Sequence, residues 1–239
     1  MADAGKVPGA AADAAPGPQR RGIWPAAYIR RSLFLYAVTE RSGLWNSQLP
    51  LPAAVEAAIR GGATFVQLRE KHATADEIRQ LAGEILPLCR AAGVPFVLDD
   101  EVDLALEVGA DGVHVGQEDM ACAEARAKLG PDKIVGVSAQ TVEEALAAEA
   151  AGADYLGMGA LYPTPTKPDA VDVTFEELRR ICDAVSIPVV GIGGLHAGTV
   201  APLAGTGVAG AAVVSAPFSA TDPEAAAREL AGELHRILG

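Results

Sequence analysis

An α/β fold, a closed (β/α)8 barrel of the TIM type in a single domain, is the architecture that the 239-residue sequence predicts, on three observations. Short apolar runs, often β-branched, alternate with amphipathic stretches of helical length. Runs such as IPVVGI are apolar throughout, as expected for parallel strands that are covered on both faces. Three segments repeat one strand-centred pattern: GGATFVQLRE, VGADGVHVGQ and AGADYLGMGA.

The N-terminal segment differs from the rest of the chain. It begins MADAGKVPGAAADAAPGPQR, which offers almost no large apolar side chain for a core. We therefore predict a flexible Ala/Gly/Pro-rich extension over residues 1–30 and the barrel domain over residues 31–239.

The barrel follows from eight predicted strands and their connecting helices. The strands are Leu33–Val38, Thr64–Leu68, Pro95–Leu98, Gly112–Val115, Ile134–Val137, Tyr155–Met158, Pro188–Ile192 and Ala211–Val214. The helices span about Pro52–Arg60, Ala75–Ala91, Val102–Glu107, Ala121–Leu129, Thr141–Ala151, Thr174–Ala184, a weak Thr199–Ala204, and Pro223–Leu238. Thr141 and Thr174 each precede a glutamate by three residues, which is the pattern of an N-terminal capping box. An open doubly wound sheet is the alternative, but no Gly-x-Gly-x-x-Gly follows the first strand.

Composition excludes several classes of protein. Lys and Arg total 19 against 31 Asp and Glu, and aromatic residues are only 5%, so we expect no nucleic-acid partner. No apolar run approaches the roughly 20 residues of a membrane helix, and we expect no membrane association. The three cysteines are odd in number and widely spaced, without a CxxC motif. This pattern indicates no disulfide framework and is expected for a protein of the reducing cytoplasm. The oligomeric state stays open, and a homo-oligomer is compatible with the sequence.

Polar residues collect where the predicted strands end, which is the functional face of such a barrel. In strand order they are Gln67, Arg69 and Lys71; Asp99 and Asp100; Asp119; Ser138; Thr164, Thr166 and Lys167; Gly193 and Gly194; and Ser215. Taken singly, each has a structural explanation, such as a local ion pair, a helix cap or a turn. Their convergence on one face favours a binding site.

The charged members indicate an anionic ligand with a metal. Arg69, Lys71 and Lys167 are cations in an acidic chain, and such side chains bind phosphate. Asp100 and Asp119 follow neighbouring strands, so their carboxylates can reach one cation. Magnesium typically takes one or two carboxylates together with phosphate oxygens. These residues therefore predict a magnesium-bound diphosphate.

A second anion site is predicted at Gly193–Gly194 and Val214–Ser215, because the loops after strands seven and eight of such barrels often bind phosphate. Two phosphorylated substrates imply a group transfer. His114 lies within a strand and is interpreted as a hydrogen-bonded barrel residue, and no Ser-His-Asp set is apparent.

Six motifs in this order resemble those of the thiamine-phosphate synthase family, and they cover about residues 32 to 220. They are VQLREK (66–71), DGVHVGQEDM (111–120), GVSAQT (136–141), YPTPTK (162–167), IPVVGIGG (187–194) and VVSA (213–216). The resemblance implies a transferase that couples hydroxymethylpyrimidine diphosphate to hydroxyethylthiazole phosphate, giving thiamine phosphate and pyrophosphate. The implied mechanism is dissociative and assisted by Mg²⁺.

The resemblance also implies roles for single residues. The pyrimidine diphosphate would be held by Gln67, Arg69, Lys71, Asp99, Ser138 and Lys167, of which Arg69, Ser138 and Lys167 would be catalytic. The thiazole phosphate would be held by Thr164, Thr166, Gly194, Val214 and Ser215, and Mg²⁺ by Asp100 and Asp119.

Two positions depart from the family pattern. Asp99 stands where the family usually has Asn, and it either adds a metal ligand or repels the diphosphate. The segment 168–173 also lacks the glycine-containing loop that the family leads us to expect. Three other readings stay open: a thiazole tautomerase, a non-catalytic barrel that binds a phosphorylated ligand, and a phosphosugar isomerase or aldolase.

Overall fold

The structure, a computed structural model, describes residues 24–40, 49–163 and 173–239. Its strands form a closed parallel barrel in which each strand pairs with the next along the chain, and the last pairs with the first. They are β1 (Leu35–Val38), β2 (Phe65–Leu68), β3 (Phe96–Asp99), β4 (Gly112–Val115), β5 (Ile134–Ala139), β6 (Tyr155–Met158), β7 (Val189–Ile192) and β8 (Gly210–Val213). The predicted (β/α)8 barrel is confirmed.

Helices connect the strands as expected for parallel pairing. They are α1 (Ala26–Ser32), α2 (Leu51–Arg60), α3 (Ala75–Ala92), α4 (Val102–Val108), α5 (Cys122–Leu129), α6 (Val142–Ala150), α7 (Phe175–Ala184), α8 (Ser215–Phe218) and α9 (Pro223–Leu238). The threonine half of each predicted capping box is present, since Thr141 and Thr174 accept hydrogen bonds from the N–H groups of Glu144 and Glu177. The weak helix predicted over 199–204 is only a 3₁₀ turn, Ala201–Leu203.

Helix α1 was not predicted, and the proposed boundary after residue 30 falls inside it. Its Ile29 side chain and the following Leu33 are buried at the N-terminal end of the barrel, which is why this segment is helical and the first strand begins only at Leu35. Tyr28 Oη donates to the carbonyl of Gly93 at 2.9 Å, and Trp24 Nε1 donates to that of Asp132 at 3.1 Å. The rest of the predicted extension lies outside the described residues.

Apolar side chains form two layers of core. The larger lies between the strands and the helices. The smaller fills the barrel interior, where the rings of Tyr36, Phe65 and Tyr155 pack edge to face. This packed interior leaves the ends of the strands as the place for a site. Among the described helices, none is long and apolar enough to cross a membrane.

Candidate active site

Two cations at the end of β2 are held by carboxylates from the neighbouring strands. Arg69 forms an ion pair with the buried Glu40, which follows β1, and its Nε lies 3.5 Å from Oδ2 of Asp99 at the end of β3. Lys71 Nζ lies 3.1 Å from the same Asp99 oxygen and also contacts the Asp100 carboxylate. Although burial lowers the pKa of Lys71, its bonds to Asp100 and Asp99 raise that pKa above its ordinary value. The ion pairs therefore fix the direction of both side chains.

The predicted metal-binding carboxylates approach each other across β3 and β4. Asp100 has φ of 59°, and its backbone N–H donates to the His114 carbonyl at 2.8 Å. Asp119 Oδ2 accepts from the backbone N–H of Gly116 at 2.9 Å. Burial raises the pKa of Asp119, and hydrogen bonding with Asp100 raises it further. Two carboxylates placed this close together favour a cation that both can bind.

A chain of hydrogen bonds crosses the barrel from Gln67 on β2 to Ser138 on β5. Gln67 Nε2 donates to Tyr36 Oη at 2.7 Å, and Tyr36 Oη lies 2.8 Å from Tyr155 Oη. His114 Nδ1 lies 3.1 Å from Tyr155 Oη, and its Nε2 lies 2.9 Å from Ser138 Oγ. The interpretation of His114 as a hydrogen-bonded barrel residue is confirmed. We call these five side chains the tyrosine relay.

The backbone around the relay is adapted to it. Gly157 on β6 lies beside the imidazole, and a Cβ atom there would be 3.1 Å from Cε1 of His114. Gln117 Nε2 donates to the Ser138 carbonyl at 2.6 Å, which fixes the end of β5. Ser138 is thus held both at its backbone carbonyl, by Gln117, and at its side-chain hydroxyl, by His114.

The glycines after β7 adopt backbone conformations that side chains rarely take. Gly193 has φ of 97° and Gly194 has φ of 65°, and a Cβ at Gly194 would lie 2.7 Å from Cβ of Tyr162. Because β7 pairs with β8, these glycines lie beside Val214 and Ser215, where α8 begins. The two parts of the predicted second anion site are therefore adjacent.

A family model for thiamine monophosphate synthase matches residues 35–216, which is most of the barrel just described. The chain belongs to the thiamine-phosphate synthase family. It is 46% identical to thiamine-phosphate synthase 2 of Streptococcus pneumoniae over 87% of this chain and 99% of that protein. It is 50% identical to the thiamine-phosphate synthase of Chloroflexus aurantiacus, over 82% of this chain and 90% of that one.

A solved structure agrees. Thiamine phosphate pyrophosphorylase from Pyrococcus furiosus superposes with a TM-score of 0.81 at 40% identity, covering 88% of this chain and all of that one. The chain is therefore an enzyme that forms thiamine phosphate in thiamine biosynthesis and acts on small phosphorylated substrates. The resemblance found in the six sequence motifs is confirmed.

Within this synthase, the structure brings together most of the residues singled out from sequence. Arg69, Lys71, Asp99, Asp100 and Asp119 form one contact cluster. Gln67 and Ser138 are joined through the relay. Thr164, Thr166, Lys167 and, of the segment 168–173, all but Val173 lie outside the described residues.

Sequence reasoning missed three residues of the synthase site. Glu40 carries a usable signal, because it is an acidic residue directly after a strand, as Asp99 and Asp100 are. Tyr36 and Tyr155 lie within apolar strands, where a tyrosine is typical of core packing, so no local signal marks their hydroxyl contacts.

The cysteines have no features of nucleophiles. Burial raises the pKa of the Cys89 thiol to about 12 and that of Cys182 to about 11. Neither forms the thiolate that nucleophilic chemistry requires near pH 7.

Proposed function

We propose that this chain couples hydroxymethylpyrimidine diphosphate to hydroxyethylthiazole phosphate, releasing pyrophosphate, by a Mg²⁺-assisted dissociative mechanism. The observation that carries the proposal is the meeting of Lys71, Asp100 and Asp119 at adjacent strand ends. This arrangement sets a phosphate-binding cation beside two oxygen ligands. We further propose a cytoplasmic location, as expected for an enzyme that uses phosphorylated metabolites, and we regard a homo-oligomer as compatible with the fold.

The carboxylates fit a magnesium ion. Asp100 and Asp119 present oxygen donors in mutual contact, and the N–H of Gly116 orients one of them. Within the described ranges, no group of three or more His, Cys, Asp and Glu side chains could hold a metal, so these two carboxylates would act with phosphate oxygens and water. When bound, Mg²⁺ would neutralise charge on the diphosphate leaving group.

The diphosphate would lie against Arg69 and Lys71, with Lys167 as a third cation. The carboxylates of Glu40 and Asp99 hold the two described cations when no ligand neutralises them. Diphosphate oxygens would replace some of these contacts with charge-assisted hydrogen bonds of their own. Gln67 and Ser138 would hold the pyrimidine ring from opposite sides of the mouth.

The thiazole phosphate would lie across the ends of β7 and β8. Gly194 permits a close approach of a ligand to the backbone, and Ser215 offers a hydroxyl beside Val214. Thr164 and Thr166 are proposed as further donors, on the strength of the YPTPTK motif.

The proposed reaction transfers a pyrimidine-methyl group. The bond between the pyrimidine methylene carbon and the diphosphate oxygen breaks, and its electron pair leaves with pyrophosphate. The resulting cation is captured by the lone pair of the thiazole nitrogen, which forms the new carbon–nitrogen bond. Arg69, Lys71 and Lys167 stabilise the negative charge that develops on the leaving group. No proton is removed in either step, so the site needs no general base.

The decisive experiment mixes the purified protein with both phosphorylated substrates, with and without Mg²⁺, and measures thiamine phosphate and pyrophosphate. Equimolar products that depend on Mg²⁺ support the proposal. Conversion of the thiazole phosphate alone would instead indicate a tautomerase. Binding of the thiazole phosphate without product would indicate a non-catalytic barrel.

A further inference from the structure

We propose that Tyr36, Tyr155 and His114 are positioning residues that fix the direction of every hydrogen bond in the tyrosine relay, so that Ser138 presents its hydroxyl proton to the pyrimidine ring. The inference rests on the proposed function for the identity of the ligand. Its core, the direction of the relay, concerns the protein alone and is testable without a substrate.

The direction follows from counting protons, beginning at Gln67. Its Nε2 is a donor, so Tyr36 Oη accepts there and must give its own proton to the remaining neighbour, Tyr155 Oη. Tyr155 Oη then accepts a hydrogen bond from Tyr36 and donates its own proton to Nδ1 of His114. The opposite direction would leave the buried Tyr36 proton without an acceptor, which is costly.

The same counting of protons assigns the tautomer of His114 and the direction of the Ser138 hydroxyl. In its neutral form His114 has one N–H group, and because Nδ1 accepts from Tyr155, that group is at Nε2. Nε2–H therefore donates to Ser138 Oγ, 2.9 Å away. The Ser138 proton is left for a ligand, so Ser138 faces an acceptor. The ring nitrogens of an aminopyrimidine are acceptors, whereas its amino group is a donor.

Packing keeps the relay from reversing. Tyr36 and Tyr155 are 2% and 0% exposed, and Gln67 is 4% exposed, so water does not compete for their hydrogen bonds. The Phe65 ring packs against both tyrosine rings, with centroids 4.6 and 5.5 Å away. Burial raises the pKa of both tyrosines, which keeps their hydroxyl protons in place.

The tautomer of His114 tests the direction. Nitrogen-15 NMR of the full chain at about pH 8, where an ordinary imidazole is neutral, separates Nε2–H from Nδ1–H forms. Loss of one signal set in His114→Asn assigns the residue. We expect Nε2–H in the wild type and a mixture of tautomers in Tyr155→Phe, which lacks the donor to Nδ1. A wild-type Nδ1–H tautomer would overturn the proposal, whether or not the protein forms thiamine phosphate.

Kinetics test the positioning role. In Tyr155→Phe and Tyr36→Phe we expect KM for the pyrimidine diphosphate to rise about three- to tenfold, the value of one or two hydrogen bonds. KM for the thiazole phosphate should not change. The matched control is Tyr28→Phe, which removes a tyrosine hydroxyl bonded to Gly93 at the opposite end of the barrel. Equal changes in both KM values, or none, would refute a positioning role. A wild type that forms no product would instead refute the proposed function.

Discussion

Gly136 on β5 lies against the ring of Tyr155 on β6: a Cβ atom at position 136 would be 2.1 Å from Cζ and 2.4 Å from Oη of that tyrosine. The side chain of Tyr155 therefore occupies the space that any other residue at 136 would need. The relay depends on this glycine as much as on the residues whose side chains form it.

We predict that Gly136→Ala destabilises the fold by about 1–3 kcal/mol, the usual cost of overpacking a core. It should also raise KM for the pyrimidine diphosphate, because Tyr155 must move. Denaturant unfolding and steady-state kinetics check both effects. Gly83→Ala is the control, since nothing lies within 4 Å of a Cβ there in the interior of α3, and it should stabilise by about 0.5–1 kcal/mol. Unchanged stability in Gly136→Ala would contradict the close contact.

Replacing Asp119 by Asn should raise the Mg²⁺ concentration for half-maximal activity by at least about tenfold, because the metal would lose one of its two proposed carboxylate ligands. Activity should vanish in excess EDTA and return with added Mg²⁺. Metal titrations of product formation measure the effect. Asp76→Asn is the control, because that carboxylate is exposed on α3 and pairs with Arg79. An identical titration curve for Asp119→Asn and wild type would remove Asp119 from the metal site.

Asp99→Asn is predicted to tighten the binding of pyrophosphate in the presence of Mg²⁺. Asp99 places a negative charge against Arg69 and Lys71, the cations proposed to bind that ligand. Removal of one nearby charge is worth about 1 kcal/mol, or about fivefold in affinity. Isothermal calorimetry compares the two proteins. Weaker binding in the variant would instead identify Asp99 as a further metal ligand.

Glu149 near the end of α6 should contribute stability that depends on pH. Its carboxylate accepts from the Ser186 side chain and from the N–H groups of Ser186 and Ile187, and these bonds lower its pKa, led by that of the Ser186 side chain. Because the folded pKa is depressed, the contribution is present above the ordinary Glu value of about 4.3. It is lost as pH falls through the lowered value.

The corresponding variant is Glu149→Gln, which should be less stable than the wild type at pH 7 and equally stable at the acid end of the range. Chemical unfolding at several pH values gives the difference. Glu229→Gln, at an exposed glutamate on α9, is the control for the removal of one carboxylate. A constant difference between Glu149→Gln and wild type at every pH would contradict the assignment.

The fold could be predicted from the sequence because strands and helix starts have local sequence signals. Segments such as IPVVGI are apolar throughout, and the threonines at positions 141 and 174 mark helix starts by chemistry that acts over three residues. Helix α1 could not be predicted, because it depends on the packing of Ile29 against the closed end of the barrel, which is a tertiary contact.

The charged residues of the candidate site could be predicted from the sequence, whereas the contacts that depend on the three-dimensional arrangement could not. Arg69, Lys71, Asp100 and Asp119 follow strands, and the barrel brings such positions together. The contact of Tyr36 with Tyr155 joins residues far apart in sequence, and no spacing rule predicts it. Asp100 likewise combines a positive φ with a bond to the His114 carbonyl on the next strand, and neither has a local sequence signal.

The pairing of β1 with β8 has a consequence for how the protein is made. Ribosomal synthesis proceeds from the N-terminus at about 5–20 residues per second, so β1 emerges long before its second partner exists. Until Gly210–Val213 has left the ribosome, one side of Leu35–Val38 has no strand to pair with and is a target for other chains. Both sides of β1 can therefore be paired only after β8 has been synthesised.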